Sequence, residues 1–592
     1  MSEELETVAE LAKRRGFFFR SSEAYGGVAG FFTYGPQGAA LKRNIEDAWR
    51  DRFVTREGNM EISAPDVMPE PVFESSGHLD GFDDMIVECP DCGASHRADH
   101  LVEDNSEYED AEALGVERVA ELLGELDVAC PACGASLADE PVDDFNLMFE
   151  TAIGPGTSQP GYLRPETAQG IFVEFPRLKE YARGKLPFGV AQVGTAWRNE
   201  ISPRRGLIRV REFTQAELEQ FIDPETDEPP LDEVADVSVP LYSAEAQSGD
   251  GGIETYTVGE AVEAGVIESD WIAYYLGVAR DWYASVGIDM DRFRYRQHLA
   301  GERAHYAADC WDAEVEVDGE WIEATGFAYR SDYDLSNHAA GSGEDFTVFR
   351  QYDEPRTVER ATVDPDMATL GPEFGGAAAD VAAALDDLAA RDPDAFDGDA
   401  VEVEVDGEPY EVDTDVANFS VETVTESGEH VTPHVVEPSF GIGRLFYAAL
   451  IHSYREDEVD GEARTYLDLP AELAPTFACV APLVSNDEGI VERAEEVRER
   501  LRAAGFEVAY DESGSIGRRY RRQDEVGTPV CVTVDHETLE QAEYDDATVT
   551  LRDRDTTAQA RVRAADLPAL LTELRAGTDF AALSEREDVH PL

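Results

Sequence analysis

The chain has 592 residues, room for about four domains at ~150 residues each, and 42% of them are hydrophobic, enough for packed cores rather than disorder. Acidic residues number 126 against 48 basic ones, a formal net charge of −78, and only four of the basic residues are lysines (Lys13, Lys42, Lys179, Lys185). Such a surface is expected of a cytosolic protein that works in molar salt, where the Debye length is about 3 Å, so the charge speaks of habitat and excludes nothing about an acidic or basic partner.

Residues 1–13 carry four Glu where an export signal would carry a basic and then an apolar stretch, and the longest apolar runs, such as Phe477–Val484, are far shorter than a membrane span. The reading is therefore cytoplasmic, with no membrane partner. Cys89-Pro-Asp-Cys92 and Cys130-Pro-Ala-Cys133, each followed by Gly, have the turn pattern of zinc knuckles. Four thiolates would complete a structural Zn²⁺ site, with His96 or His100 as possible substitutes for one of them. The remaining cysteines, Cys310, Cys479 and Cys531, stand in apolar contexts and read as core.

The stretch from Gly194 to Phe221 alternates apolar and polar residues on either side of a tip containing Ser202, Pro203 and Gly206, the pattern of a hairpin. Period two places Arg198 and Glu200 on one face of the first strand, and Arg209, Arg211, Phe213, Gln215 and Glu217 on one face of the second. Guanidinium groups suit phosphate oxygens, an aromatic ring can stack a purine, and a carboxylate can hold an ammonium. Further on, residues 434–451 read as a strand carrying Glu437 and Ser439, a Gly-Ile-Gly turn, and a helix starting near Arg444. Backbone amides at such a helix start, beside an arginine, make a polyphosphate site. The acidic run Asp380–Asp394 reads as a solvated amphipathic helix. From about Leu469 strands and helices alternate (476–480, 490–504, 506–510, 530–534), a compact α/β domain.

Arg198-Asn-Glu with Arg209-x-x-x-Phe213 resembles motif 2 of the class II aminoacyl-tRNA synthetases, and Gly441-Ile-Gly-Arg444 resembles their motif 3. Lys13-Arg-Arg-Gly-Phe, Ser22-Glu-Ala-Tyr-Gly-Gly, Leu163-Arg-Pro-Glu-Thr-Ala-Gln-Gly170, Arg198-Asn-Glu-Ile-Ser-Pro-Arg204 and Glu437-Pro-Ser-Phe-Gly441 together resemble the dimeric glycyl-tRNA synthetases of archaeal and eukaryotic type, here from a halophilic archaeon. The segment 41–65 is similar to motif 1, which forms the homodimer interface of that family.

The resemblance implies an α+β fold: an antiparallel catalytic sheet flanked by helices, a C-terminal α/β anticodon-binding domain and a small Cys-pair insertion. The expected division is 1–83 with motif 1, 84–145 the Cys-pair insertion, 146–222 with the glycine loop and motif 2, and 223–320 an insertion. Then come 321–352 a catalytic strand region, 353–433 an acidic insertion, 434–468 motif 3 and 469–580 the anticodon-binding domain. It implies ATP bound with Mg²⁺ by Arg198, Asn199, Glu200, Ile208, Arg209, Val210, Arg211, Glu212, Phe213, Glu323, Ala324, Gly441, Ile442, Gly443 and Arg444, with Arg198, Arg444 and Glu323 catalytic. Glycine would lie among Arg97, Glu166, Phe213, Thr214, Gln215, Ala216, Glu217, Glu437, Pro438, Ser439, Phe440 and Gly441. The tRNA(Gly) partner would meet Arg518, Arg519, Arg521 and Arg522, and Cys89, Cys92, Cys130 and Cys133 would hold the metal. Two rival readings are a sister synthetase for another small amino acid and a non-catalytic nucleic-acid-binding relative; the second would be expected to lose the phosphate-binding arginines.

Overall fold

A computed structural model describes residues 3–592 apart from 107, 109–110, 112–113, 156–158, 204, 250, 300–308, 406, 460, 541–543 and 545–546. The chain divides into two compact units, the larger built from 1–182, 186–346 and 433–592, the smaller from 183–185 and 347–432.

The larger unit is organised on a nine-stranded sheet. In chain order its strands are β1 (Met60–Glu61), β2 (Phe188–Trp197), β3 (Glu212–Ile222), β4 (Ser238–Tyr242), β5 (Glu254–Thr257), β6 (Phe293–Gln297), β7 (Asp309–Val317), β8 (Glu320–Ser331) and β9 (His434–Gly441). Their spatial order is β5-β4-β6-β7-β8-β9-β3-β2-β1. All neighbours run antiparallel except β1 with β2 and β4 with β6. Here the structure departs from the expected division: residues 223–320 supply four strands of this sheet instead of an insertion beside it. Their polar, Pro-rich opening, Asp223–Asp232, is a surface turn between sheet strands, and it hides the alternation Phe293-x-Tyr295-x-Gln297 that is buried on one side.

One sheet face is covered by helices α1 (Pro36–Trp49), α2 (Asp270–Ser285) and α3 (Ile442–His452). Ala216, Phe327 and Phe440 point into this core, and the Phe440 ring packs 4.7–5.9 Å from those of Trp49, Phe53, Trp282 and Phe327. Burying rings of this size is the main source of stability for the layer. The other face carries the polar rows described below.

The Cys-bearing segment forms a three-stranded sheet of Asp83–Glu88, Ser95–Arg97 and Val142–Asn146 with the helix Val116–Glu125 and a small core of its own. The C-terminal domain has a six-stranded sheet of β10 (Ala478–Pro482), β11 (Val508–Tyr510), β12 (Val530–Val534), β13 (Thr548–Asp553), β14 (Gln559–Arg563) and β15 (His590–Pro591), ordered β11-β10-β12-β13-β14-β15. Helices α4 (Glu488–Ala503) and α5 (Ile516–Asp524) connect its first strands. The smaller unit is a long two-stranded ribbon, Val348–Thr362 with Ser420–Val431, plus a helix, Ala378–Arg391, packed on a hairpin, 400–413, through Val381, Leu385 and Val401. Among the described residues no helix is long and apolar enough to cross a membrane.

Candidate active site

The polar face of the sheet holds a cleft between the β2–β3 connection and the start of α3. Its walls include Arg198, Glu200, Arg209, Phe213, Glu323 and Arg444, so two distant stretches of sequence meet there. The ladder between β2 and β3 closes at Trp197 and Glu212, and residues 198–211 form a loop rather than the strand extensions expected from their alternation. Pro203 has no N–H to donate and Arg205 has φ 59°, either of which ends a regular ladder. Arg204, at this tip, lies outside the described residues.

Arg198 donates from Nε to the Pro165 carbonyl (3.2 Å), and its guanidinium lies 5.3 and 5.4 Å from the ring centres of Phe82 and Phe213. Arg209 and Glu200 pair at 2.5 Å. Arg444 donates to the Ile208 carbonyl (3.1 Å) and the Glu323 carbonyl (2.8 Å), with the Glu323 carboxylate 3.3 Å away. Desolvation at the foot of the cleft pushes the Glu323 carboxyl up, but the guanidinium charges of Arg444 and Arg198 outweigh it and hold it below its usual range. Ile208, Val210, Thr214, Gln215, Ala324, Gly441 and Gly443 also line the cleft.

Other predicted residues face elsewhere. The backbone N–H of Asn199 donates to Leu147, Arg211 holds the Glu200 and Ala29 carbonyls, Glu212 lines a neighbouring hollow with Lys42 and Arg43, and Ile442 is buried. Period two turns Ala216, Pro438 and Phe440 to the opposite sheet face. Arg97 is buried in ion pairs with Asp84 and Asp99, and Asp84 also reaches Arg209 of the cleft wall (3.4 Å), so Arg97 stands behind that wall with its charge paired.

Beside the cleft, Glu166, Glu217, Glu437 and Ser439 gather, joined by Glu219, which sits two residues beyond Glu217 on the same face of β3. Glu217, 1% exposed, accepts from Ser439 Oγ (2.6 Å) and from Thr167 Oγ1. Glu437 accepts from Arg330 (2.6 Å), whose other nitrogens grip Asp334 at 2.7 and 2.9 Å. Glu166 accepts from Gln169 (2.9 Å) with His78 3.7 Å away. Among the described residues, neither carboxylate oxygen of the fully buried Glu219 has a hydrogen-bond partner.

Burial, then the charge of Glu166, pushes Glu217 up, and burial drives Glu219 well above its ordinary value. Burial also carries Glu437 up to about 8 against the pull of Arg330. Glu166 goes the other way, because His78 and Arg330 outweigh its own burial. Five acids share this spot with Arg330 and His78, an excess of acidic groups in a desolvated place, where a small cation would favour their ionised forms.

The two Cys-x-x-Cys turns repeat one geometry: Cys89 and Cys130 each accept from the Gly four residues on (2.9 and 2.8 Å) and donate to the Ala after it (2.9 and 2.7 Å). Gly93 and Gly134 take φ 66° and 80° to allow this. The sulfurs of Cys89 and Cys133 lie 3.5 Å apart and those of Cys92 and Cys130 3.8 Å apart, close to the roughly 3.8 Å edge of a tetrahedron with 2.3 Å zinc–sulfur bonds. His96 stands 3.2 Å from the Cys130 sulfur, outside a set that all four cysteines complete.

On α5 the basic cluster is largely consumed by the fold. Arg519, 2% exposed, donates to the carbonyls of Pro482, Glu512 and Gly514, Arg522 holds Asp511, Arg521 leans on Asp524, and Arg518 alone of the four is exposed. The helical phase of α5 explains it: Arg519 is on the stripe that faces β10.

An antiparallel sheet with an arginine-walled cleft at a strand–turn–helix, followed by an α/β domain, is the arrangement of a class II aminoacyl-tRNA synthetase. Residues 157–383 match the family described as tRNA synthetase class II core domain (G, H, P, S and T), and residues 478–574 match the anticodon binding domain. Glycine–tRNA ligases from Methanothrix thermoacetophila (49% identical, covering 97% of each chain), Methanothermobacter thermautotrophicus (46%, 96% of this chain and 99% of that one) and Pyrococcus furiosus (45%, 96% and 98%) are similar over nearly the whole length. The chain belongs to the glycine–tRNA ligase family.

Proposed function

We propose that this protein activates glycine with ATP to glycyl-adenylate and transfers the glycyl group to the 3′ end of tRNA(Gly), releasing pyrophosphate and AMP. The observation that carries the reading is the desolvated carboxylate cluster beside an arginine-walled cleft. Glycine offers an ammonium and a carboxylate and no side chain; Glu217, with Glu166, Glu437 and Ser439, holds the ammonium. No smaller amino acid exists to compete, so exclusion by bulk above Cα suffices for specificity.

Phe213 stacks the adenine and Glu200 accepts from its amine once released from Arg209, which turns to the outer phosphates. The glycine carboxylate attacks the α-phosphorus in line, Arg198 stabilises the charge that develops on the α-phosphate oxygens, and Arg444 holds the pyrophosphate that leaves. Glu323, a half-exposed carboxylate at the cleft wall, has the hard oxygen donor that Mg²⁺ requires; the ion neutralises phosphate charge when bound. The four cysteines have the spacing and softness for structural Zn²⁺. Transfer follows when the terminal adenosine hydroxyl attacks the adenylate carbonyl and AMP departs.

A homodimer formed through 41–65, in the cytoplasm of a halophilic archaeon, completes the proposal. The acidic surface and lysine scarcity support the salt habitat. The test is ATP–pyrophosphate exchange in multimolar KCl with each of the twenty amino acids. Exchange with glycine alone is expected. Exchange with a different amino acid would assign the chain to a sister enzyme, and none in folded protein would favour a non-catalytic relative.

A further inference from the structure

The substrate face of the sheet extends past the glutamate cluster into a group of side chains that the reaction above does not use. In-register neighbours point to the same face, and one row runs Glu217 on β3, Ser439 on β9, Gly326 on β8 and Asp312 on β7. The next row runs Glu437, Ala328 and Cys310, and continues to His298, whose backbone N–H donates to the Cys310 carbonyl (3.0 Å) at the end of β6. Cys310 and Asp312, two residues apart on β7, thus share a face with His298 opposite.

The contacts are those of a ligand set. His298 Nε2 lies 2.8 Å from Asp312 Oδ2, and one donor atom from each of His298, Cys310 and Asp312 falls within 4.8 Å of the other two. Among the described residues, His298 Nδ1 is buried with no hydrogen-bond partner. Gly326 and Ala328 keep the space in front of Asp312 and Cys310 free of large side chains; a Cβ on Gly326 would come within 3.9 Å of Asp312 Oδ1.

We propose that His298, Cys310 and Asp312 bind a borderline-soft divalent ion, Zn²⁺ or one of its class, at a second metal centre distinct from the cysteine knuckles. A thiolate, an imidazole and a carboxylate are the three-protein-ligand pattern of zinc sites that keep a fourth, open position. Mg²⁺ prefers oxygen donors alone, so the thiolate separates this centre from the nucleotide's ion. The edge of a zinc coordination tetrahedron is roughly 3.3 Å for nitrogen and oxygen ligands, so the 2.8 Å His298–Asp312 contact needs to open by only about half an ångström. Asp312 is two strands from Ser439, about 10 Å at ordinary strand spacing, and the open position faces the same side as the substrates. The inference stands on these contacts and does not depend on which amino acid is activated.

The test uses the full chain in multimolar KCl, reloaded with Zn²⁺ after chelation, freed of excess ion and counted by plasma mass spectrometry. Cys310→Ala should hold one ion fewer per chain than the parent, with the cysteine knuckles intact in both. Asp312→Asn, nearly the same shape, should weaken retention at least tenfold, and circular dichroism should show both variants folded. Co²⁺ loading should give a thiolate charge-transfer band that Cys310→Ala diminishes by the share of one sulfur. Equal metal counts in parent and folded Cys310→Ala overturn the site, and unchanged retention in Asp312→Asn overturns the three-ligand set. Displacement of the ion by millimolar Mg²⁺ overturns the class of metal.

Discussion

Two clusters of like charge, the glutamates beside the cleft and the arginines of α5, look equally suited to ligand binding in the sequence, and the fold treats them in opposite ways. Arg519 spends its charge on three backbone carbonyls and Arg522 on Asp511, leaving one exposed arginine. Glu219 has no partner among the described residues and Glu217 has two hydroxyls, both carboxyls being almost wholly buried. Charge that the protein answers internally holds the fold together, while desolvated charge left unanswered is a place for a ligand.

The sharpest way to break this contrast is Glu217→Gln, which keeps the shape and removes the charge. Losing the charged partner of a buried ammonium costs about 3–5 kcal/mol, so kcat/KM for glycine in the exchange reaction should fall about 10³-fold. Thermal stability should hold or rise, because a desolvated carboxylate has gone. Activity within tenfold of the parent would mean that the cluster does not hold the substrate.

Arg519→Ala tests the other side. Three carbonyls lose a charged donor in a buried place, and the C-terminal domain should lose about 3 kcal/mol in urea unfolding. A variant as stable as the parent, but defective in tRNA binding, would move Arg519 from structure to recognition.

The raised carboxyl of Glu437 gives a smaller effect with a definite sign. Burial keeps its proton on up to about 8 in the free protein, and an ammonium ligand favours the ionised form. Glycine binding therefore expels a proton, and its apparent affinity should rise by up to tenfold per pH unit toward about 8 and level off above. Calorimetry in two buffers of different ionisation enthalpy reads the proton directly; no proton release would show that Arg330 already keeps Glu437 ionised.

Much of the cleft was legible because its parts are local: Arg198, Phe213, Gly441 and Arg444 sit in short phrases whose spacing carries meaning. Strand phase carries further: the period that selects Glu217 also selects Glu219 and rejects Ala216 and Phe440. Other partners had no such signal. His78 and Thr167 reach the cluster from separate segments, and Arg330 bridges Asp334 and Glu437 across a chain separation of about a hundred residues. The strands within 223–320 read as an insertion because the Pro- and Asp-rich turn that opens them masks their alternation, and sheet order is a long-range property. On α5 the arginines were visible, but which of them points inward depends on a helix phase set by packing against β10.

Arg518 sharpens the comparison where the effect is smallest. It is the one exposed member of its cluster, on a helix of a domain that matches the anticodon-binding family. A single exposed phosphate contact contributes about 0.5 kcal/mol in high salt, so Arg518→Ala should raise the KM for tRNA only two- to threefold and leave unfolding unchanged. Lowering KCl should widen that gap, because a phosphate contact draws strength from counterion release that molar salt suppresses. A salt-independent difference would instead mean that Arg518 reads a base by stacking or hydrogen bonding, and an unchanged KM at every salt would leave the exposed face of α5 with no part in tRNA binding.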